Sequence, residues 1–370
     1  MKKIVAGLLA VSMVFGAGGV LGNLSSDVFT LTASADEEQP TSGKCGENVT
    51  WVFDEDGTLT ISGEGDMYLV DKPISLGRKT DEVKKVVIEN GVTSIGNSAF
   101  TFCMNLTSVT IPNSVTKIGK YAFMSCGSLN KINIPNGVTR ISDYTFTHCS
   151  NLKSVTIPEN VTYIGECAFM GCTNLTDIKI PNSVTNIGEC AFVDCDNLTK
   201  ITIPNNVIKM GYGTFANCEE LTTAVISDGV TSISEYAFYG CPKLKSVTIP
   251  SSVRIIGEKA FGYYNDKEKD IIGTTIKNFT IRGTKDTAAE KYAKNNEFRF
   301  VEMSDAGIKG DVNNDGKINI TDITKIALHI KGKKFLTKEQ KLRADINNDG
   351  NITITDLTRI AAHVKGKKSL

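Results

Sequence analysis

The chain has 370 residues, with Lys+Arg and Asp+Glu both at 41 and no net charge. That length leaves room for more than one domain. The balance argues against a nucleic-acid binder or a polybasic membrane binder.

The first segment reads as an export signal. "MKK" is a positive start, residues 4–22 are apolar and small, and Ala33-Ser34-Ala35 offers a small-x-small cleavage site before Asp36. The apolar run is glycine-interrupted and at the short end for a membrane anchor. We therefore expect a signal peptide over 1–35 and a secreted chain with no later membrane span. An N-terminal cap is expected over 36–82. Within it "VTWVFDEDGTLTISG" places two alternating runs around "DEDG", which predicts a β-hairpin.

From residue 83 a 23-residue beat runs without insertion to 266, giving eight units that start at 83, 106, 129, 152, 175, 198, 221 and 244. A fixed period of this size marks a solenoid. In each unit "LxxVxIP" alternates apolar and polar residues as a short strand does. Pro112, Pro135, Pro158, Pro181, Pro204 and Pro250 end that strand, because proline removes a donor. "VxxIGxxAF" then turns the chain back. In the second unit Leu106, Val109, Ile111, Val115, Ile118, Ala122, Phe123 and Cys126 should point inward. One unit is too thin to bury that set alone, so stacking makes a continuous core. The strand positions between them (Thr110, Asn133, Thr156, Lys179, Thr202, Val225, Thr248) form a Thr-rich outer row without an aromatic ring. Such a row suits a protein partner better than a polysaccharide. Tyr121, Tyr144 and Tyr236 form a second row, either a sugar platform or simple stacking.

The wording "AFxxC…LxxVxIPxxVxxIG" resembles the BspA-like leucine-rich repeats of bacterial surface proteins. The resemblance implies a leucine-rich repeat solenoid of short parallel strands that serves adhesion or protein interaction. After it, residues 267–303 read as a C-terminal cap. "FTIRG…EFRFVE" predicts strand, helix, strand, with Ala288, Ala289, Tyr292 and Ala293 on the helix's apolar side. Open solenoid ends need covers to stay soluble. The stretch 267–278 is irregular and predicts no element.

Seven cysteines fall 23 residues apart, at 103, 126, 149, 172, 195, 218 and 241. An inward thiol ladder fits this better than disulfides, since buried Cys behaves as a small hydrophobe and the last unit has Tyr264 there. Cys167 and Cys190 occupy another position, held elsewhere by Ser98, Tyr121 or Lys259. This suggests partial exposure, and adjacent rungs lie within the ~5.5 Å Cα spacing of a disulfide. Two readings stay open for them, a cross-rung disulfide or two unbonded thiols. His148 reads as a surface residue. Glu166, Glu189 and Asp194 are scattered, and no nucleophile elbow, HExxH, P-loop or dinucleotide fingerprint occurs. The chain is therefore read as non-catalytic. The competing reading is an accessory carbohydrate-binding or hydrolytic subunit.

The last segment, 304–370, changes character. "DVNNDGKINITD" at 311–322 returns as "DINNDGNITITD" at 345–356. Asp311, Asn313, Asp315, Lys317 (through its carbonyl), Asn319 and Asp322 stand at positions 1, 3, 5, 7, 9 and 12, with Gly316 at the turn. Asp345, Asn347, Asp349, Asn351, Thr353 and Asp356 repeat them. These are hard oxygen ligands at calcium-loop spacing, so two Ca2+ ions are expected. Each loop precedes an apolar helix, carried by Ile323, Ile326, Ala327 and Ile330, then by Leu357, Ile360, Ala361 and Val364.

This duplicated loop-helix, without an entering helix, resembles a type I-like dockerin. The resemblance implies a small all-α calcium-binding module that plugs into a cohesin on a scaffoldin, as in cellulosomes. Carried over by position, the cohesin contacts are Ile320-Thr321 and Ala327-Leu328, then Ile354-Thr355 and Ala361-Ala362. Ile and Ala depart from the hydroxyl and basic residues common there, which puts the cohesin class in question. The near-identical halves imply two rotated binding modes. From residue 308 onward 13 Lys+Arg stand against 7 Asp+Glu. The excess either complements helix C-termini or meets an acidic cohesin surface.

Overall fold

The computed structural model describes residues 41–68, 77–266, 269, 271–303, 308–315, 317–347 and 349–366. The expected signal peptide lies outside them. Each 23-residue unit forms one coil carrying two short strands. The first row includes Lys131–Asn133, Ser154–Thr156 and Asp177–Lys179, paired in parallel with Ile132, Val155 and Ile178 in register. The second row includes Arg140–Ile141, Tyr163–Ile164 and Asn186–Ile187, also parallel and also in steps of one repeat. Among the described residues no helix is long and apolar enough to cross a membrane.

The inward set forms one core. In the fourth unit Leu152, Val155, Ile157, Val161, Ile164, Ala168, Phe169 and Cys172 are all buried. One phenylalanine per unit, from Phe100 to Phe261, stacks on the next. Ring centroids are 4.9–5.7 Å apart and planes lie within 26°. Parallel stacked rings at this distance add to the burial of apolar area. The thiols form the expected ladder. Cys126 Sγ donates to the carbonyl of Phe100 at 3.2 Å, and Cys149, Cys172, Cys195, Cys218 and Cys241 repeat the contact with the phenylalanine 26 residues back. Each thiol thus adds a weak second donor to an inward carbonyl; that of Phe123, for example, already accepts from the Cys126 amide at 3.2 Å.

The two ends differ from simple covers: they continue the sheet. At the N-terminal end Val49–Phe53 and Thr58–Gly63 form the expected hairpin, whose turn is held by Asp54 Oδ1 accepting from the Thr58 amide at 2.8 Å. Its second strand then runs parallel to Lys85–Ile88 of the first unit. At the C-terminal end Thr280–Gly283 and Arg299–Glu302 extend the last strand, Ser246–Ile249, in parallel. The helix Ala288–Asn295 lies between those two, with Ala289, Tyr292 and Ala293 buried. Tyr292 Oη accepts from the amide of Phe261 and donates to its carbonyl, both at 2.9 Å, tying the helix to the last phenylalanine. Within the stretch 267–278, Ile271–Thr275 forms a strand antiparallel to Tyr263–Asp266 of the last unit.

Replacing Phe169 by Ala should cost ~3–5 kcal/mol, as for a buried aromatic, and lower the urea midpoint of the solenoid. Thr156→Ala, on the outer row, should move it by less than ~0.5 kcal/mol.

Candidate functional site

The two Asp-rich loops close on themselves in the same way. Asp311 Oδ1 and Asn313 Oδ1 both accept from the Asp315 amide at 3.1 Å. Asp322, fully buried, reaches back to the Asn313 amide at 3.0 Å and the Asn319 amide at 2.9 Å. In the second loop Asp345 Oδ1 accepts from Asp349 at 3.1 Å. Asp356, also fully buried, accepts from Ile346 at 2.8 Å and Thr353 at 3.0 Å. Gly316 lies outside the described residues, whereas Gly350 has the left-handed φ of 81° that the tight turn requires. Lys317 and Asn351 each donate their amide to the position-5 aspartate.

Burial raises the pKa of Asp322, and the nearby Asp315 adds to that. A buried carboxylate beside another is costly without a compensating cation, so the donor set fits a hard divalent ion. Among the described residues no three His, Cys, Asp or Glu side chains alone converge as a metal group. The expected set draws also on Asn oxygens and main-chain carbonyls. Asn319 and Thr353 use their side-chain oxygens as helix N-caps, accepting from Thr321 and Thr355, with Asp322 and Asp356 completing capping boxes. This start signal fixes helices Ile320–Ile330 and Ile354–Val364.

The helices pack through a small core of Val312, Ile326, Leu336, Ala344 and Ile360. Ile320 and Ile354 point outward, 65% and 66% exposed. Thr321 and Thr355 are exposed beside them, and Ala327, Leu328, Ala361 and Ala362 are half-buried. The two isoleucines thus occupy equivalent exposed positions at the starts of the two helices. Sequence reasoning missed Phe335, 77% exposed with its ring edge-on to His329. It also missed the helix Lys338–Ala344 between the loops. The signal was present, since Thr337 and Gln340 form a capping box.

Comparison with known families matches the repeats to the BspA type leucine-rich repeat region, six copies over 78–195 and 139–269, more than half of the chain. The chain belongs to the BspA-type leucine-rich repeat family. A type I dockerin domain matches 309–365. Together these domain types support a cohesin-binding, non-catalytic adaptor. No curated protein matches the chain. Among solved structures the chain is similar to a leucine-rich repeat protein of T. pallidum, at 25% identity over 60% of this chain and 86% of that one, with a TM-score of 0.40. It is also similar to a leucine-rich cell surface protein of Faecalibacterium prausnitzii, at 22% identity over 64% of this chain and 98% of that one, with a TM-score of 0.28.

Elsewhere on this BspA-type solenoid, Cys167 is buried rather than exposed and Cys190 is half-buried. Both are free thiols in a satellite cluster with Met170, Val193 and Tyr144. Their hydrogen bond, then burial, raises Cys167, while the same bond holds Cys190 below the usual thiol value. His148 is half-buried, not a surface residue, and burial lowers its pKa. Tyr121 and Tyr144 stack on each other at 4.8 Å, and Tyr236 meets Tyr212 and Tyr239, so the tyrosine row spends ring faces on itself.

Burial pushes the Cys103 and Cys149 thiols up to about 12. Ladder thiols should therefore resist alkylation in the native protein. Cys167 and Cys190 are free here, and a bond between them has its own readout: protein from an oxidising medium, denatured and alkylated without reduction, should take up two fewer labels if they are bonded, and labelling of both rules the bond out.

Proposed function

We propose that the chain is a secreted, non-catalytic adaptor of a polysaccharide-degrading, cellulosome-like complex. Calcium folds the dockerin of residues 304–370, the dockerin plugs into a cohesin on a scaffoldin, and the solenoid of residues 83–266 presents a surface to a protein or cell-surface ligand. The observation that carries this reading is the duplicated pair formed by a loop closing on a fully buried aspartate and an exposed isoleucine at the start of the following helix. Two ions are expected, one held by Asp311, Asn313, Asp315, Lys317 and Asp322, the other by Asp345, Asn347, Asp349, Asn351 and Asp356, with Asn319 and Thr353 at position 9. Such ions would supply the positive charge that offsets the converging carboxylates. The side chains gather and orient the oxygens, and the helices behind them carry the contact residues. The solenoid's exposed Thr110, Asn133 and Thr156 fit a polar protein surface.

The deciding experiment is a pull-down of secreted proteins and insoluble polysaccharides with the full chain, with and without calcium. Recovery of a scaffoldin only with calcium supports the reading, and retention on polysaccharide alone replaces it by the carbohydrate-binding one. Chelation should also remove helical circular dichroism, because a chain of about sixty residues has a marginal core and metal binding supplies folding free energy. Asp322→Ala should lower calcium affinity and weaken the helix beginning at Ile320. A spectrum that chelator leaves unchanged contradicts the calcium assignment.

A further inference from the structure

We propose that the strand-ending turns of the solenoid's last units are a docking surface for this chain's own dockerin, locked by the ion pair between Asp228 and Arg343, and that this leaves one half of the dockerin for its partner. The statement about the partner rests on the cohesin reading above; the docking does not.

Arg343 lies in the helix Lys338–Ala344 between the two loops and is 4% exposed, and Asp228 in the seventh unit is 8% exposed. The two side chains meet although they are 115 positions apart in the chain. The same guanidinium donates to the carbonyl of Val312 in the first loop at 3.3 Å, so one residue ties loop, helix and solenoid together. Removing either partner of a buried pair strands the other charge, so the pair holds the contact in place even where its net worth is small. Burial raises the Asp228 carboxyl, and Arg343 opposes that shift. Lys325 of the first loop's helix is itself half-buried and attracted to the same carboxylate.

The repeat departs from its pattern at this place. "IPNSV" of the fifth unit becomes "ISDGV" in the seventh, so Ser227 and Asp228 stand where Pro181 and Asn182 stand two coils earlier. Both replacements are buried. Beside the pair a cleft of about 510 Å³ opens between Lys179, Thr202 and Asn205 of the solenoid and Asn313, Thr321 and Lys325 of the dockerin. On its other side Asn314 and Glu339 share a pocket with Pro250 and Thr284. A cleft of that size admits water and small molecules but not a folded module. A partner gripping Thr321 and the first half therefore collides with the solenoid. Ile320, Ile354 and Thr355 are exposed and do not line this cleft, so of the equivalent pair Thr321 and Thr355 only Thr321 faces the solenoid. Of the two rotated modes, the second half is left free.

Hydrogen–deuterium exchange on the full calcium-loaded chain tests the docking. Asp228→Lys should speed exchange several-fold in peptides covering 313–325 and 200–205, and the double variant D228K/R343E should restore protection. Asp228→Asn keeps the size, removes the charge, and should show a smaller change of the same sign, while unchanged exchange in the phenylalanine ladder shows that the coil is intact. Protection unaltered in both single variants overturns the docking. With a purified type I cohesin as probe, Thr355→Asp should weaken binding by more than about tenfold and Thr321→Asp by less than about twofold. Equal effects of the two overturn the choice of half. A chain that binds no cohesin yet shows the exchange differences keeps the docking and overturns the partner reading.

Discussion

The solenoid depends on each phenylalanine lying flat on the one a repeat earlier. That stack demands a constant coil length, because a single inserted residue would move the ring out of line and turn its neighbours to water. Main-chain bonds enforce the same register. Phe146 donates its amide to Ala168, Phe169 to Ala191 and Phe192 to Thr214, so each ring's backbone is fixed to the next coil. The thiol ladder follows from this arrangement, since a residue small and apolar enough to fit behind the ring, with a weak donor for the inward carbonyl, is cysteine.

The cost of so tight a coil appears in its backbone. Tyr121, Tyr144, Cys167, Cys190 and Tyr236 all have φ between 49° and 59°, a region that non-glycine residues enter only when the surroundings hold them there. Here each amide is tied to the next coil, as in Cys167 to Glu189 at 2.9 Å and Tyr236 to Glu258 at 3.0 Å. This explains why the side chains at that position cluster along one edge. They leave the coil in a common direction, which brings Cys167 against Cys190 and Tyr121 against Tyr144.

The dockerin is governed by the opposite problem, too much buried charge for too little core. Asp322 and Asp356 are both fully buried, and the apolar cluster behind them is small. In the proposed reading an ion offsets that charge, and a neighbouring surface adds to the small core. The buried pair of Asp228 and Arg343 gives the dockerin a second support in the solenoid, at a coil whose sequence gives up a proline to provide it. Adaptor and anchor are then mechanically linked, and the side of the dockerin facing outward is set by the repeat protein that carries it.

Periodicity was enough to determine the solenoid. The 23-residue spacing, the strand-ending prolines and the apolar set from Leu106 to Cys126 fix which side chains face in, because side-chain direction within a coil is a local property. The loops were legible for the same reason, their oxygens being spaced by sequence. Other features were decided only by tertiary structure. Cys167 looked partly exposed because other units carry Ser98, Tyr121 or Lys259 at its position, yet the left-handed backbone turns it into a satellite cluster. The end segments read as caps, and the structure adds that their strands continue the sheet, since a coil end offers unpaired amides that a parallel strand satisfies. The contact between Asp228 and Arg343 carries no local signal beyond a missing proline, because an ion pair between residues 115 positions apart is set by how the two modules pack and not by the residues next to either one.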